Sequence, residues 1–128
     1  FQFVMPALSA DPLERDRWFA ALRDVANRRR EPWVLEGLNY LHHPLRAAAA
    51  KKYVQPSLEM LSELQKTGDI FFPKRWLDAT LGGHQTEDVA KTVRTFLMGL
   101  PADYPQRLRN ITLQSAEELF RAAQTLKR

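Results

Sequence analysis

Prolines and glycines divide this sequence into helix-length segments, and their spacing restricts the fold more than any other feature. Pro12, Pro32, Pro56 and Pro73 each come just before apolar residues that recur at helical intervals. Proline is well accommodated in the first turn of a helix, because the N–H it lacks has no partner there. The pattern therefore predicts roughly five to seven helices joined by short turns.

The stretch from Lys51 to His84 shows this punctuation most densely. Pro56 is predicted to begin a helix that Gly68 ends in a left-handed conformation, and Pro73 begins a second helix that Gly82 and Gly83 end. The inward-facing residues are predicted to be Leu58, Leu61, Leu64, Trp76, Leu77, Thr80 and Leu81. The link 69–72 is apolar and is predicted to be extended. We expect two helices held together by a buried aromatic hinge.

The remaining helices follow from the same signals. Asp11 is predicted to cap a helix from Pro12, a second helix starts at Glu31, the alanine-rich 46–54 is helical, Thr86 caps another helix, and a long helix runs from Pro105 to about Thr125. Their inward residues are predicted to be Trp18, Phe19, Leu22, Val25, Ala26, Val34, Leu35, Leu38, Leu41, Val89, Val93, Phe96, Leu97, Leu100, Leu108, Ile111, Ala116, Leu119, Phe120 and Ala123. Only 2–5 and 69–72 have a pattern compatible with extended chain, and both are too short to found a sheet.

These segments predict an all-α fold in which neighbouring helices are antiparallel. PWVLEGL from Pro32 and PKRWLDATL from Pro73 share a proline, an early tryptophan and leucines at helical spacing. Two such segments suggest stacked helix pairs, although two weak copies do not establish a repeat. We therefore expect residues 1–128 to form a single helical domain built as a HEAT- or armadillo-like partial superhelix.

Composition and charge exclude several classes of function. The net charge is +4, and its excess is concentrated at 28–30 and 127–128 instead of along a broad basic face, so we predict no nucleic-acid partner. No apolar stretch approaches the ~20 residues that a membrane span needs. The absence of cysteine excludes disulfides, thiol catalysis and thiolate metal sites, and it favours a cytoplasmic location, although the location stays unknown from sequence.

The three histidines do not form a recognisable catalytic or metal motif. His42 and His43 are adjacent, so on a helix they point ~100° apart and cannot share a metal ion. Next to Pro44 we expect them to cap a helix end or to lie on the surface. His84 follows a glycine pair that is typical of a helix end, and no carboxylate precedes Glu87. We predict no catalytic residue, no metal ligand and no cofactor in this chain.

Two interpretations stay open for the triplet 28–30. Its guanidinium groups could grip a carboxylate or a phosphate, or they could lie in a solvated loop or contact a neighbouring domain, which is the more common use of such a triplet. Trp18, Trp33 and Trp76 are expected to pack between helices. The residues alone therefore predict a helical module that is part of a larger protein.

Several longer strings resemble the C-terminal helical domain of bacterial M1-family zinc aminopeptidases. They are EPWVLEGLNYLHHPLR (31–46), YVQPSLEMLSELQKTGDIFFPKRWLDATLGGH (53–84) and YPQRLRNITLQSAEELFRA (104–122), with FVMPALSADPLERDRWFAAL (3–22) fitting the same region. The resemblance covers nearly the whole chain in order. The first residue is Phe1 and not methionine, which agrees with a fragment of a longer protein.

The resemblance implies a parent that removes N-terminal residues from peptides with zinc held by a His-Glu-x-x-His helix and a distant glutamate. Neither that motif nor the family's Gly-x-Met-Glu-Asn motif occurs in this chain, so the zinc would lie in an absent catalytic domain. In the family this helical domain covers the catalytic cleft and limits substrate access. Its partners would be the catalytic domain of the same polypeptide and the peptide substrate. Arg46, Lys74 and Arg75, at predicted helix ends, are the candidate contacts with the substrate end or that domain.

The alternative is an autonomous helical-repeat module that binds a protein or peptide. The same helix pattern supports it, and the reading frame upstream of Phe1 distinguishes the two hypotheses.

Overall fold

The computed structural model describes residues 5–126, and every regular element in that range is helical. The α-helices are α1 (Met5–Leu8), α2 (Pro12–Ala21), α3 (Glu31–Leu41), α4 (Ala47–Ala50), α5 (Val54–Glu59), α6 (Leu61–Thr67), α7 (Phe72–Leu81), α8 (Glu87–Met98) and α9 (Gln106–Leu126), with 3₁₀ turns at Val25–Arg28, Pro44–Arg46 and Lys51–Tyr53. The all-α prediction is confirmed for these residues. Of the possible extended segment 2–5, only Met5 lies in the described range, where it begins α1. The basic pair 127–128 lies outside that range.

Three helices, α3, α7 and α9, lie side by side and run in the same direction. At their starts, the Asp69 backbone N–H donates to Glu31 Oε2 over 2.9 Å, and Arg107 Nη2 donates to the Ile70 carbonyl over 2.7 Å. Eight residues further along both α7 and α9, Ser115 Oγ donates to Asp78 Oδ1 over 2.9 Å. Since α7 contacts both α3 and α9, it is the middle helix of this layer.

A second layer is formed by the helices that connect the first. The α5–α6 segment leads from α3 to α7, and α8 leads from α7 to α9. The two connectors contact each other, and Lys51 Nζ, just before α5, lies 3.0 Å from Asp88 Oδ2 in the first turn of α8. The predicted antiparallel neighbours are therefore an incomplete description, because helices within one layer are parallel.

The core lies between the two layers, and α7 supplies its two largest fully buried side chains. Phe72 and Trp76 are the largest fully buried residues, their rings meet edge to face with centroids 5.9 Å apart, and Trp76 Nε1 donates to the Ser57 carbonyl over 3.0 Å. All seven residues predicted to face inward in the stretch 51–84 are buried. Burial of this apolar surface is what stabilises the short helices, which are too short to be stable alone.

The predicted aromatic hinge differs from the observed turn. The link is not extended: the Asp69 carboxylate accepts from the Phe71 N–H over 2.9 Å, and the Asp69 carbonyl accepts from the Phe72 N–H over 3.0 Å. This compact turn leaves Ile70 and Phe71 60% and 58% exposed, so only Phe72 is buried. Side-chain capping by Asp69 outweighed the apolar pattern of the segment.

Gly68 ends α6, but not in the predicted left-handed conformation. Its φ is −110° and its ψ is −178°, which is extended backbone. The reason for glycine is space, because a Cβ there would lie 2.8 Å from Phe72 Cδ2 and 2.9 Å from Glu31 Oε2. Close approach of α3, α6 and α7 therefore explains this position.

Three helix boundaries also differ from prediction. The helix from Pro12 ends at Ala21, because Asp24 Oδ1 accepts from the Ala26 N–H and starts a 3₁₀ turn, which leaves Val25 and Ala26 exposed. The alanine-rich segment is helical, as predicted, but its boundaries differ because it consists of alternating short 3₁₀ and α-helical pieces and not of one helix. Pro56 is the third residue of α5 and not its first, which still costs no hydrogen bond within the helix.

Candidate functional site

Lys74, a predicted contact residue, lies in the first turn of α7 and is already paired. Its Nζ lies 2.7 Å from Asp78 Oδ1 and 2.9 Å from Asp78 Oδ2, one helical turn later. Asp78 also accepts from Ser115 of α9. The lysine therefore belongs to a small polar contact that joins α7 and α9, and such exposed pairs contribute little to stability.

Arg75, the second predicted contact, is exposed and lies beside the turn 69–71. Its Cζ lies 5.7 Å from the centroid of the Phe71 ring. The exposed Ile70 and Phe71 side chains form a small apolar surface, and this guanidinium lies next to it. Of the three predicted residues, Arg75 is the most accessible to a partner.

Arg46, the third, is occupied within the chain. Its Nη1 donates to the Ser9 carbonyl over 3.1 Å, and the nearly buried Arg15 donates to the same carbonyl over 2.7 Å. These bonds tie the segment after α3 to the turn between α1 and α2. Arg46 follows the C-terminal end of α3, whereas Lys74 and Arg75 lie at the N-terminal end of the parallel α7, so the structure does not gather the three cations into one site.

A buried pair of histidines joins the C-terminal ends of α3 and α7. His42 Nδ1 and His84 Nε2 are 2.8 Å apart, and the two side chains are only 1% and 2% exposed. One of these two nitrogens carries a hydrogen and donates it in a hydrogen bond to the other nitrogen. The outer nitrogens, His42 Nε2 and His84 Nδ1, have no hydrogen-bond partner among the described residues.

The environment holds both rings in the neutral state. Burial, together with the neighbouring His84, lowers the pKa of His42 to about 3. Burial, together with the positive charge of Lys51, lowers the pKa of His84 to about 4. Near pH 7 neither ring provides a positive charge, so the pair acts as a hydrogen-bonded junction.

His42 is the C-cap residue of α3, as predicted, but it is buried and does not lie on the surface. Gly83 brings the loop after α7 against α3, since a Cβ at Gly83 would lie 1.9 Å from the His42 carbonyl oxygen. His43 does cap, because its Nδ1 accepts from the Leu45 N–H over 3.1 Å at the start of the next turn. Sequence reasoning missed the pairing of His42 with His84, and the glycine pair before His84 was the only signal of close approach.

Thr86 occupies the predicted N-cap position of α8, but its hydroxyl makes no capping bond. That hydroxyl oxygen is buried without a partner, as is the Thr80 hydroxyl oxygen. Within residues 5–126, no three His, Asp or Glu side chains are grouped so that they could hold a metal ion. No helix in that range is both long and apolar enough to cross a bilayer.

No protein-family model, curated protein or solved structure matches this chain.

The arginine triplet divides into one internal and two external residues. Arg28 is 3% exposed, its Nη2 lies 3.0 Å from Glu63 Oε2, and its Nη1 donates to the Leu22 carbonyl. Arg29 and Arg30 are exposed and border an open pocket of about 390 Å³ next to Trp33. Arg28 is therefore used inside the fold, and the two interpretations from sequence stay open for Arg29 and Arg30.

Proposed function

We propose that this chain is the C-terminal, non-catalytic helical domain of an M1-type zinc aminopeptidase. In the parent enzyme it would cover the catalytic cleft and shape access for peptides that lose their N-terminal residues. The helices would form a HEAT- or armadillo-like partial superhelix packed on the catalytic domain. The resemblance of the three long strings is the basis of this proposal, and the arrangement of helices supports its architectural part.

One observation supports the proposed repeat architecture: the long-range hydrogen bonds join residues that are a nearly constant number of positions apart in the sequence. Eight hydrogen bonds of the described residues join positions more than 20 apart, and all eight span between 37 and 42 residues. In a helical solenoid each repeat contacts only its neighbours, so contacts recur at the repeat length. A HEAT or armadillo repeat is about 40–47 residues long, which is close to this span.

The two-layer order supports the same proposal. In a solenoid of helix pairs, the first helices of successive repeats lie parallel in one layer and the second helices lie parallel in the other. Here α3, α7 and α9 form one layer, and α5–α6 with α8 forms the other. The two similar strings that begin near Pro32 and Pro73 lie in α3 and α7, neighbours in the same layer.

The three predicted contact residues are not equally accessible to a partner. Arg75 is accessible to a peptide or to the catalytic domain, whereas Arg46 and Lys74 already have partners within the chain. We propose that Arg75, in the first turn of α7, contacts the catalytic domain together with Ile70 and Phe71, the exposed residues just before α7.

The upstream reading frame is the most direct test. We expect a His-Glu-x-x-His motif, a glutamate downstream of it and a Gly-x-Met-Glu-Asn motif in the polypeptide that precedes Phe1. A start codon just before Phe1, with none of these motifs upstream, would contradict the proposal and favour the autonomous peptide-binding module. The exposure of Trp33, Ile70 and Phe71 favours this second candidate, because exposed apolar side chains could bind a peptide.

An enzymatic test addresses the chain itself. Purified residues 1–128 with zinc are expected not to hydrolyse an aminoacyl-p-nitroanilide, and the full polypeptide is expected to do so. Zinc-dependent turnover by residues 1–128 alone would show that the chain is not a non-catalytic domain.

A further inference from the structure

An open pocket lies at the start of α3, and its lining includes two arginines and a tryptophan. Ala26, Asn27, Arg29, Arg30 and Trp33 line it, and its volume is about 390 Å³. Pockets of roughly 300–1,000 Å³ are the size that small ligands or single side chains with their neighbours occupy. Ala26 and Asn27 lie in the 3₁₀ turn and Trp33 lies in α3, whereas Arg29 and Arg30 form the bend that joins these two elements.

Within residues 5–126, the two arginines of the pocket lack the acidic partners that three other arginines have. Arg28, Arg94 and Arg121 each form an ion pair with a glutamate. Among the residues that the structure describes, no carboxylate forms an ion pair with Arg29 or Arg30.

Glu31, the adjacent acid in the sequence, is engaged elsewhere. Its Oε2 accepts from the Asp69 N–H over 2.9 Å, which holds the start of α3 against the turn before α7. The two guanidinium groups of the pocket therefore bring a summed charge of about +2 and form no ion pair with a described carboxylate.

An aromatic surface accompanies this charge. The Arg30 Cζ lies 4.4 Å from the Trp33 ring centroid, and Trp33 remains 37% exposed. Stacking of the guanidinium on the ring orients the planar fork that binds a carboxylate through two hydrogen bonds. Asn27 is fixed as well, because its Nδ2 donates to the Ala21 carbonyl over 2.9 Å.

We propose that this pocket binds a carboxylate attached to an apolar or aromatic group. The carboxylate lies between Arg29 and Arg30, and the apolar group lies against Trp33. The ligand chemistry is the same whether it comes from a free organic acid or from a glutamate beside an aromatic residue in a docked polypeptide. This inference does not depend on the proposed aminopeptidase parent.

Nuclear magnetic resonance of residues 1–128 tests the proposal, with the Trp33 indole N–H as the reporter. The probes are benzoate, its neutral analogue benzamide, inorganic phosphate and the peptide acetyl-Phe-Glu-amide. We expect saturable shifts of the Trp33 signal with benzoate or with the peptide, and much smaller shifts with benzamide. Tighter binding of benzoate would indicate a free organic acid as the ligand. Tighter binding of the peptide would indicate a docked polypeptide.

Variants connect the shift to the two guanidinium groups. Arg29→Gln and Arg30→Gln are each expected to raise the Kd for the better carboxylate by roughly two- to five-fold, as for exposed ion pairs, and added NaCl should weaken binding. Arg94→Gln is the matched control, because Arg94 also stacks on an aromatic ring, with its Cζ 4.9 Å from the Phe120 centroid, but is paired with Glu87. It should leave the Kd unchanged.

Three results would overturn the proposal. They are an unshifted Trp33 signal with both carboxylates, a shift that survives in the Arg29→Gln/Arg30→Gln double variant, and binding of phosphate as tight as that of benzoate. The Trp76 indole signal, whose N–H is bonded to the Ser57 carbonyl, reports whether each variant remains folded.

Discussion

At the scale of single residues, adjacent positions in this chain have opposite environments. His42 is buried against His84, whereas His43 is exposed and caps a turn. Arg28 is buried and paired with Glu63, whereas Arg29 is exposed. Neighbours in sequence therefore serve as matched controls for each other.

The histidine pair predicts a stability that falls in mild acid. Both rings have a pKa lowered from about 6.5 in the folded chain, to about 3 and about 4. Below pH 6.5 the unfolded chain takes up protons that the folded chain does not, so stability is complete above pH 6.5 and is lost as pH falls towards 4 and 3. For His42 alone, the free energy of unfolding should drop by about 2 kcal/mol between pH 7 and pH 5.

Urea unfolding at pH 7 and pH 5 measures this effect. His42→Gln should reduce the difference in unfolding free energy between the two pH values, whatever it does to absolute stability. His43→Gln should leave that difference as in the wild type. Equal pH dependence in the wild type and His42→Gln would contradict the assignment. The other ionisable groups near the pair are Tyr53 and Lys51, which is paired with Asp88.

Arg28 and Arg29 should differ in their effect on stability. Arg28→Met leaves the Leu22 carbonyl and Glu63 without their guanidinium partner, and we expect a loss of about 1–3 kcal/mol. Arg29→Met should change stability by less than about 0.5 kcal/mol, as exposed substitutions usually do. Thermal or urea unfolding of the two variants compares them directly, and equal losses would contradict the buried assignment of Arg28.

At the scale of helices, the contact between the ends of α3 and α7 depends on one glycine. Gly83→Ala would place a Cβ 1.9 Å from the His42 carbonyl oxygen, which is backbone and cannot move without displacing α3. We expect a loss of about 2 kcal/mol or more. Gly99→Ala is the control, since its Cβ would lie 3.4 Å from the nearest atom, the Thr95 carbonyl oxygen.

Circular dichroism during urea unfolding gives both values. Gly99→Ala should be nearly neutral, because Gly99 has a right-handed helical conformation that alanine adopts readily. A neutral Gly83→Ala would show that the loop is not held against His42.

Helices with several spaced apolar residues were predictable, and contacts made by polar groups were not. The inward positions of α3 and α7 follow from the 3.6-residue period, and Trp76, Leu77, Thr80 and Leu81 are all buried as expected. The turn at 69–71 was missed because the Asp69 side chain, and not hydrophobicity, decides its shape. The His42–His84 contact joins residues 42 apart, and no local pattern encodes such a pairing.

At the scale of the whole molecule, α7 is the helix on which both sides of its layer depend. Trp76→Ala removes the largest buried side chain and its hydrogen bond to Ser57, and we expect a loss of about 3–5 kcal/mol. Trp33→Ala, at a 37% exposed site of the neighbouring helix, should cost far less. Chemical denaturation compares the two, and a smaller loss at Trp76 would contradict the central place of α7.

The near-constant span of the hydrogen bonds between neighbouring helices also affects how the chain folds. The hydrogen bonds that join described residues more than 20 positions apart all span 37–42 positions, so none of them joins the two ends of the chain. The loop-closure entropy is then similar for each added helix pair, since it grows slowly with loop length. A nucleus formed by α3 and α7 would grow outward one helix at a time, and the protection of backbone amides from exchange would decline from α7 towards α1 and the end of α9.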